Sequence, residues 1–253
     1  MRKLRFLAVV ALAVLGIAGV AIAQTAGNQY TIGGTMAAGG SKAKPKPVGL
    51  KFNFQTTAAD PNTLPQPIKT YSIGFEGAKV DTSIIPVCKA SKMSTDQSDK
   101  SCPAKAQIGS GVVTAKAGAA GGPIADAAPC ELGLTLYNSG NGHAALWLEG
   151  GPGTAHNCIA GIHQAIDATF KKSATGTALV FTVPDSLRHV AGLDVAVMSA
   201  TSTIKKITGK DKKKKTVGYF QSTGCTDKKR DLTVTFTDEQ GADVPVKKTL
   251  GAC

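Results

Sequence analysis

Short apolar runs in which every second residue faces the same way recur along this chain, and they constrain its fold more than any other feature. Leucine alternates with Gly, Thr and Tyr over 132–137, and the run 144–148 continues the pattern. Alternation of this period places the apolar side chains on one face of a β-strand. The intervening stretch 138–142 (NSGNG) contains Asn-Gly, which readily adopts the positive φ angles of a tight reversal. The two runs therefore predict a β-hairpin.

The same alternation extends over the rest of the chain and predicts an all-β fold. Further runs lie at 51–55, 72–75, 162–170, 178–183, 195–207, 217–222 and 232–237. No window from residue 48 onward holds a helical stripe longer than about three turns. Short strands at this spacing favour a single two-sheet β-sandwich, Ig-like or similar, over a propeller, which would show a repeat of about 40 residues.

Composition agrees with one globular domain after an N-terminal extension. The 253 residues are 42% hydrophobic and 18% charged, which excludes collagen-like, coiled-coil and wholly disordered chains. The segment 24–47 is rich in Gly, Ala, Ser, Lys and Pro, so we predict a flexible leader there, with room for a short strand at 30–32. The β-sandwich domain then covers 48–253. A loop of Gly and Ala at 115–129 is the one internal boundary that composition suggests, and two small domains are the alternative.

The N-terminus has the layout of a signal peptide. A basic start at 2–5 precedes an apolar stretch over 6–20, and the small residues of 21–23 follow it. We predict cleavage after Ala23 and therefore a secreted or cell-envelope protein. The apolar stretch is shorter than the roughly 20 residues of a membrane span, which makes an uncleaved anchor the weaker alternative. Nothing after the cleavage point approaches a second span.

Six cysteines, all beyond the predicted cleavage point, predict disulfide bonds. An even count on an exported chain favours them because no glutathione pool reduces thiols outside the cytoplasm. Six cysteines allow many connectivities, and we predict the one that joins nearest neighbours. A metal site is disfavoured because the chain has no C-x-x-C and no Cys/His pair at zinc spacing. The predicted pairs are Cys88 with Cys102, Cys130 with Cys158, and Cys225 with Cys253.

Three stretches stand out because they are built mainly of Cys, Pro, Gly and small residues: 85–88 (IPVC), 101–111 (SCPAKAQIGSG) and 221–225 (QSTGC). Read together, they resemble a group of exported proteins of high-GC Gram-positive bacteria that lack an assigned function. The resemblance spans much of 48–253. It implies export, disulfides and a β-rich fold, and it implies no catalytic residue.

The second of these stretches also has a structural interpretation. Cys102-Pro103 predicts the start of a turn, because the proline ring fixes the backbone. Gly109 and Gly111 predict a bend that leads into a strand beginning at Val112.

Residues typical of catalysis are present, but no catalytic motif is. The sequence has no Gly-x-Ser-x-Gly elbow, no H-E-x-x-H helix and no G-x-x-x-x-G-K-[ST] phosphate loop. The GGPG stretch at 150–153 predicts a turn. Asp185, Ser186 and His189 are the residue types of acyl transfer, yet closeness in sequence seldom gives the geometry of a triad. We interpret His163, which lies in an alternating run, as a partly solvated surface histidine.

A carboxylate pair for glycoside cleavage needs only to face a groove and leaves no motif. Glu149, Asp167, Asp185 and Asp194 are the candidates for such a pair. Sugar sites usually also stack a ring on an aromatic face. The single tryptophan, Trp147, alternates with core-facing leucines, so we predict that it lies on the opposite face and packs beneath a loop.

Cations are concentrated in one short segment. The formal net charge is +12 and falls to +9 when the three basic residues of the signal peptide leave. Gly209 and Asp211 predict a hairpin tip among the lysines. Smaller groups lie at 228–230 and 247–248. Seven of the eleven residues 205–215 are lysines: Lys205, Lys206, Lys210, Lys212, Lys213, Lys214 and Lys215.

The lysines allow two interpretations. They keep an exported protein soluble, or they attract anionic cell-wall polymers or lipid headgroups, with a strength that falls with salt. Nucleic-acid binding is disfavoured because no aromatic residues interleave with the lysines. We therefore predict an exported, disulfide-braced β protein of the envelope or extracellular space, a binding or structural module that is attracted to anionic surfaces and has neither a cofactor nor catalysis of its own. The alternative is a secreted hydrolase whose groove residues no motif reveals.

Overall fold

A computed structural model of the chain describes residues 22–24, 27–173, 175–211 and 213–253. Residues 1–21 of the predicted signal peptide lie outside the described residues. Two short α-helices, α1 (Ala90–Asp96) and α2 (Asp185–Arg188), and a 3-10 turn at Ala104–Ala106 accompany the strands. The strands are β1 (Ile22–Gln24), β2 (Asn28–Met36), β3 (Lys46–Pro47), β4 (Leu50–Ala58), β5 (Thr70–Glu76), β6 (Ala78–Val80), β7 (Gln107–Gly118), β8 (Ala128–Gly140), β9 (His143–Gly150), β10 (Ile162–Lys172), β11 (Gly176–Thr182), β12 (His189–Val190), β13 (Leu193–Ile204), β14 (Thr208–Lys210), β15 (Thr216–Gly218), β16 (Phe220–Ser222), β17 (Lys229–Thr237) and β18 (Asp243–Ala252).

One large antiparallel sheet dominates the fold. Its strand order is β1-β2-β4-β13-β7-β8-β9-β10-β11-β5-β17-β18, with β12 paired to β13. The sheet curls until β18 lies against β1 and β2, which makes it nearly barrel-shaped. Two small sheets, β3-β16-β6 and β14-β15, stand apart from it. The all-β prediction is confirmed. The main sheet is nearly barrel-shaped rather than a clear two-sheet sandwich, because its strands form one continuous path that curls over its own apolar face, and an Ig-like arrangement is not confirmed.

The core lies inside this sheet, on the face that the alternation predicts. Burial alternates without a break along β4. The leucines of the predicted hairpin, among them Leu134 and Leu146, are buried in the same cluster as the phenylalanines of β4. Alternation is equally compatible with two packed sheets and with one curled sheet, since both have an apolar inner face. The sequence pattern therefore predicts the strands but not their closure.

The segment 24–47 contains a long strand, and the flexible leader predicted there is wrong for β2. This strand pairs with β4 along its whole length. Tyr30 and Ile32 are buried in the core, and the Tyr30 ring stacks on Phe236 with 4.0 Å between ring centroids. The glycines that suggested a flexible segment serve close packing, since a Cβ on Gly34 would overlap the carbonyl oxygen of Lys51.

The predicted loop at 115–129 is shorter in the structure. β7 continues through Gly118 and β8 begins at Ala128, so the connection covers only 119–127. The two strands pair with each other on either side of it. The main sheet therefore continues across this loop.

Gly109 and Gly111 lie within β7, so the bend predicted before Val112 does not form. A Cβ on Gly111 would overlap the carbonyl oxygen of Thr201 in the neighbouring strand β13. A Cβ on Gly109 would likewise overlap the carbonyl oxygen of Thr203 in β13. Glycine is required here because two backbones approach closely, not because the chain turns.

We expect the Gly111→Ala substitution to lower the free energy of unfolding by about 1–3 kcal/mol, because β7 or β13 must shift to admit the methyl group. Urea unfolding followed by circular dichroism measures the change. Gly161→Ala is the matched control, since a Cβ at Gly161 meets no atom within 4 Å. We expect that control to change the free energy by less than about 0.5 kcal/mol. Equal losses for the two variants would contradict the close approach of the strands.

The three predicted disulfides, Cys88–Cys102, Cys130–Cys158 and Cys225–Cys253, are all confirmed. The first closes a segment that lies over the outer face of the sheet. The second ties β8 to the 151–161 loop, and the third ties the residue after β18 to the loop before β17. In the described ranges, no helix has the length and apolar character that crossing a membrane requires.

The segment closed by the first disulfide covers the single tryptophan. Trp147 is only 1% exposed, and α1 packs over it with Met93 fully buried beside it. The indole N–H donates a hydrogen bond of 3.2 Å to Glu149. The prediction that Trp147 packs on the outer face is confirmed, although the segment that covers it contains helix α1 and is not simply a loop.

All neighbouring strands of the main sheet are antiparallel, so its connecting loops are divided between two ends. We call one the open end; its loops are 59–69, 119–127, 151–161, 183–192 and 238–242. We call the other the closed end; its loops include 37–49 and 205–228.

Aromatic residues fill the closed end. Phe170 makes edge-to-face contacts with Tyr219 and Phe220, with 6.3 and 5.6 Å between ring centroids. The Tyr219 hydroxyl donates a hydrogen bond of 3.2 Å to the side-chain oxygen of Asn138. Arg230, which is wholly buried, joins β17 to β16 and β5 through hydrogen bonds. Among the described residues, packed side chains therefore occupy the interior at the closed end.

Candidate functional site

The lysines predicted to bind anionic surfaces lie together at the closed end. Lys205 and Lys206 directly follow β13, and Lys210 ends β14. Residues 213–215 form the turn between β14 and β15. All of these lysines are exposed. Lys212 lies outside the described residues.

Asp211 shapes this turn. Its carboxylate accepts hydrogen bonds from the backbone N–H groups of Lys213 and Lys215 at 2.9 and 2.8 Å. Lys214 adopts a positive φ of 60°, which the turn requires. The predicted hairpin tip is confirmed. Among the described residues no carboxylate forms a salt bridge with these lysines, so their ammonium groups stay available to an external anion.

The two ends of the sheet differ in charge. At the closed end, the 37–49 loop adds further lysines next to the hairpin, because β3 pairs with β16. Ten residues of β13, about 33 Å at 3.3 Å per residue, separate Val195 near the open end from Lys205. The additional closed-end lysines are Lys42, Lys44, Lys46 and Lys228. The open-end loops contain more carboxylates than cations: the carboxylates are Asp60, Asp126, Asp185, Asp238 and Glu239, and the cations are Lys69 and Arg188.

An apolar cavity of about 150 Å³ lies inside the sheet and reaches the open end. Phe52, Leu136 and Leu146 form its deeper wall. Ile159 and Leu187 lie at its mouth, and Ile159 is 58% exposed. All other lining side chains are apolar except those of Tyr71 and Ser202, once the bonded cysteines of the second disulfide are set aside.

Tyr71 is the one large polar group of this cavity. Its ring stacks on Phe181 and meets Phe236 edge to face, with 5.2 and 5.7 Å between ring centroids. The side chain is 2% exposed, and its hydroxyl has no hydrogen-bond partner within the described part of the chain. Burial raises the pKa of Tyr71 far above its usual value. The phenol therefore stays protonated and keeps a hydrogen to donate.

A charged cluster surrounds His189 beside the mouth of the cavity. Its Nδ1 lies 3.0 Å from a carboxylate oxygen of Asp194, and its Nε2 lies 2.7 Å from one of Glu239. The Arg188 guanidinium contacts Glu239 and lies 3.0 Å from Asp185. The spacing of Asp185, His189 and Glu239 alone would suit a metal ion. Because Arg188 contacts both Asp185 and Glu239, we interpret the cluster as an ion-pair network.

The residue types of acyl transfer do not assemble at this cluster. Both ring nitrogens of His189 face carboxylates, so neither is free to accept the proton of Ser186. The structure therefore gives no support to a triad of these residues. GGPG at 150–153 forms a turn, as predicted.

The remaining carboxylate candidates and histidines form separate local pairs. Glu149 accepts the hydrogen bond of the tryptophan, and Asp167 lies 3.1 Å from His143. His156 lies 3.0 Å from Glu131. His163 is exposed on the outer face of β10, as predicted.

No protein-family model matches this chain, and no characterised protein or solved structure shows significant similarity to it. The geometry of the lysine hairpin and of the cavity is therefore the basis for function. Sequence reasoning found the hairpin but missed the cavity. The only signal for Tyr71 is a tyrosine at an inward position of the 70–76 alternation, and that position is typical of an ordinary core residue.

Proposed function

We propose that this chain is an exported, non-catalytic binding protein of the cell envelope, attached to anionic surfaces by the lysines of its closed end. The observation that carries the proposal is the segregation of charge. Exposed lysines from 37–49 and 205–228 lie together, while carboxylates prevail in the loops at the other end. Lysines that only keep a protein soluble need not gather at one end.

The segregation favours one orientation on a negatively charged surface. Each lysine near an anionic membrane contributes about 1 kcal/mol, and the effect fades within a Debye length of about 10 Å at 0.1 M salt. The open end lies beyond that distance when the lysine hairpin touches the surface. Attachment would therefore leave the cavity mouth pointing away from the surface.

Export is supported by the disulfides and by the N-terminal signal. Three disulfides without a free cysteine suit an oxidising compartment. We expect the mature protein to begin at Gln24, which mass spectrometry of the secreted protein measures. Cleavage there removes two of the three residues of β1 and leaves β2 as the edge strand. A secreted protein that retains residues 1–23 would contradict the proposed cleavage.

Cosedimentation of the oxidised protein with vesicles tests the attachment. Vesicles with an anionic phospholipid, neutral vesicles and isolated cell walls are compared from low to high salt. We expect the protein to bind the anionic vesicles or the walls at low salt, and to lose that binding between about 50 and 500 mM salt. Binding that persists at high salt, or that is equal on neutral vesicles, would contradict the proposal.

Substitution of the hairpin lysines locates the binding surface. We expect Lys213→Gln, Lys214→Gln and Lys215→Gln together to weaken binding at least tenfold at low salt, given about 1 kcal/mol for each lysine. Glutamine keeps the chain length and leaves the backbone N–H groups free to bond Asp211. The matched control removes the same charge from the outer face with Lys89→Gln, Lys92→Gln and Lys100→Gln. If the two triple variants lose the same amount of binding, the attraction depends on net charge alone and the hairpin is not the binding surface.

A further inference from the structure

The cavity inside the sheet is suited to an apolar occupant. A buried water usually needs two to four polar partners, and the lining offers only Tyr71 and Ser202. A dry cavity leaves its wall atoms without dispersion partners on one side. A volume of about 150 Å³ matches engineered cavities that bind a benzene-sized molecule. An apolar group that enters would gain contacts at little cost in lost hydration.

Tyr71 favours an occupant that also has a hydrogen-bond acceptor. A buried donor without a partner destabilises a protein, and a ligand that supplies an acceptor removes that penalty. The hydroxyl of Tyr71 is such a donor, held in place by stacking on Phe181. Tyr71 is the second residue of β5 and therefore lies toward the open end, above the deep wall at Leu136 and Leu146.

We propose that the cavity binds the acyl chain of an uncharged ester, with its carbonyl oxygen accepting a hydrogen bond from Tyr71. The end of the chain contacts the deep wall at Phe52, Leu136 and Leu146. The ester then lies at the height of Tyr71, and the alcohol part emerges past Ile159 and the other apolar residues of the mouth.

Carboxylates outnumber cations around the mouth and disfavour an anionic headgroup, although Lys69, next to the cavity-lining Val183, is a cation with no salt bridge among the described residues. The only described cation of the 183–192 loop, Arg188, is already balanced by Asp185 and Glu239. Asp194 adds another carboxylate on the far side of His189. A free carboxylate or a phosphate would meet these groups unpaired, so an ester is favoured over the corresponding acid.

Displacement of a dye from the purified, oxidised protein tests this site without any anionic surface, so its failure is independent of the attachment proposed above. The uncharged dye N-phenyl-1-naphthylamine, whose phenyl ring matches the size of the cavity and whose naphthyl group would lie at the mouth, reports occupancy by fluorescence. Methyl octanoate and octanoate, which share one chain and differ in charge, compete for the cavity. We expect the ester to displace the dye at a concentration at least tenfold lower than the acid. Equal potency, or no saturable dye binding, would overturn the proposal.

Two substitutions test whether the Tyr71 hydroxyl binds the ester. We expect Tyr71→Phe to weaken methyl octanoate about tenfold and to leave the affinity for the dye unchanged, since only the hydroxyl is lost. The matched control is Tyr30→Phe, whose ring also contacts Phe236 but whose hydroxyl is bonded to Asn28. We expect no change in ester affinity there. An unchanged ester affinity in Tyr71→Phe would rule out the hydrogen bond.

A cavity-filling variant separates binding inside the sheet from binding to its surface. Ala200 lines the cavity from β13, and we expect Ala200→Leu to abolish saturable binding of both the dye and the ester. Melting curves verify that each variant is folded. Tyr71→Phe should melt no lower than the unchanged protein, because the lost hydroxyl has no partner. Ester binding that survives in a folded Ala200→Leu variant would place the ligand elsewhere.

Discussion

Replacement of Trp147 by alanine is expected to lower the free energy of unfolding by about 3–5 kcal/mol, the usual cost of removing a buried tryptophan. This side chain is almost fully buried between β9 and α1, with Met93 and Ala165 in the same cluster. Its loss leaves a cavity under α1 that neighbouring strands cannot fill by collapse. The indole hydrogen bond to Glu149 is lost as well.

Urea unfolding followed by far-ultraviolet circular dichroism measures the change, since the substitution removes the only tryptophan. Trp147→Phe is the matched control, because it keeps an aromatic ring in place. We expect it to lose clearly less stability than the alanine variant. A loss below about 1 kcal/mol in Trp147→Ala would contradict the packing of α1 on the outer face of the sheet.

Removal of the Cys130–Cys158 disulfide by paired alanine substitution is expected to lower the free energy of unfolding by about 3–4 kcal/mol. The chain-entropy model gives this value for a closed loop of 28 residues. The bond also holds the 151–161 loop against β8, where both half-cystines line the cavity. Its removal should therefore weaken binding of the uncharged dye in addition to stability.

The Cys225–Cys253 disulfide provides the matched comparison. It spans the same sequence separation of 28 residues but lies at the closed end. The chain-entropy model expects the same loss of stability from its removal. Dye binding, in contrast, should stay unchanged while the protein is folded. Equal effects of the two removals on the dye would contradict a cavity mouth formed by the 151–161 loop.

Local features of the fold could be predicted because they depend on nearby residues. Period-two alternation located the strands around Leu134 and Leu146, and Asn-Gly located their reversal. Nearest-neighbour pairing of the cysteines succeeded because each pair closes a short loop between adjacent segments. Strand order, in contrast, depends on contacts between distant segments, so one curled sheet and two packed sheets give the same pattern.

The segment 24–47 and the glycines of β7 show where prediction from local sequence fails. Composition suggested a flexible segment around Tyr30, but pairing with β4 buries that side chain. Gly111 suggested a bend, although its role is to admit the backbone of β13. In both cases a contact with a distant strand overrides the local preference of the sequence.

The candidate sites divide in the same way. The lysine hairpin could be predicted because its lysines and the turn residue Asp211 are neighbours in sequence. The cavity could not, since strands from across the whole sheet line it. The unpartnered hydroxyl of Tyr71 becomes visible only when every neighbour of that side chain is known.

The most direct test of the attachment is hydrogen exchange of the intact protein with and without anionic vesicles at low salt. We expect slower exchange in peptides that cover 37–49 and 205–215, and unchanged exchange in those that cover 183–192 and 238–242. Neutral vesicles should change neither set. Protection of the open-end loops, or equal protection throughout the chain, would contradict attachment through the closed end.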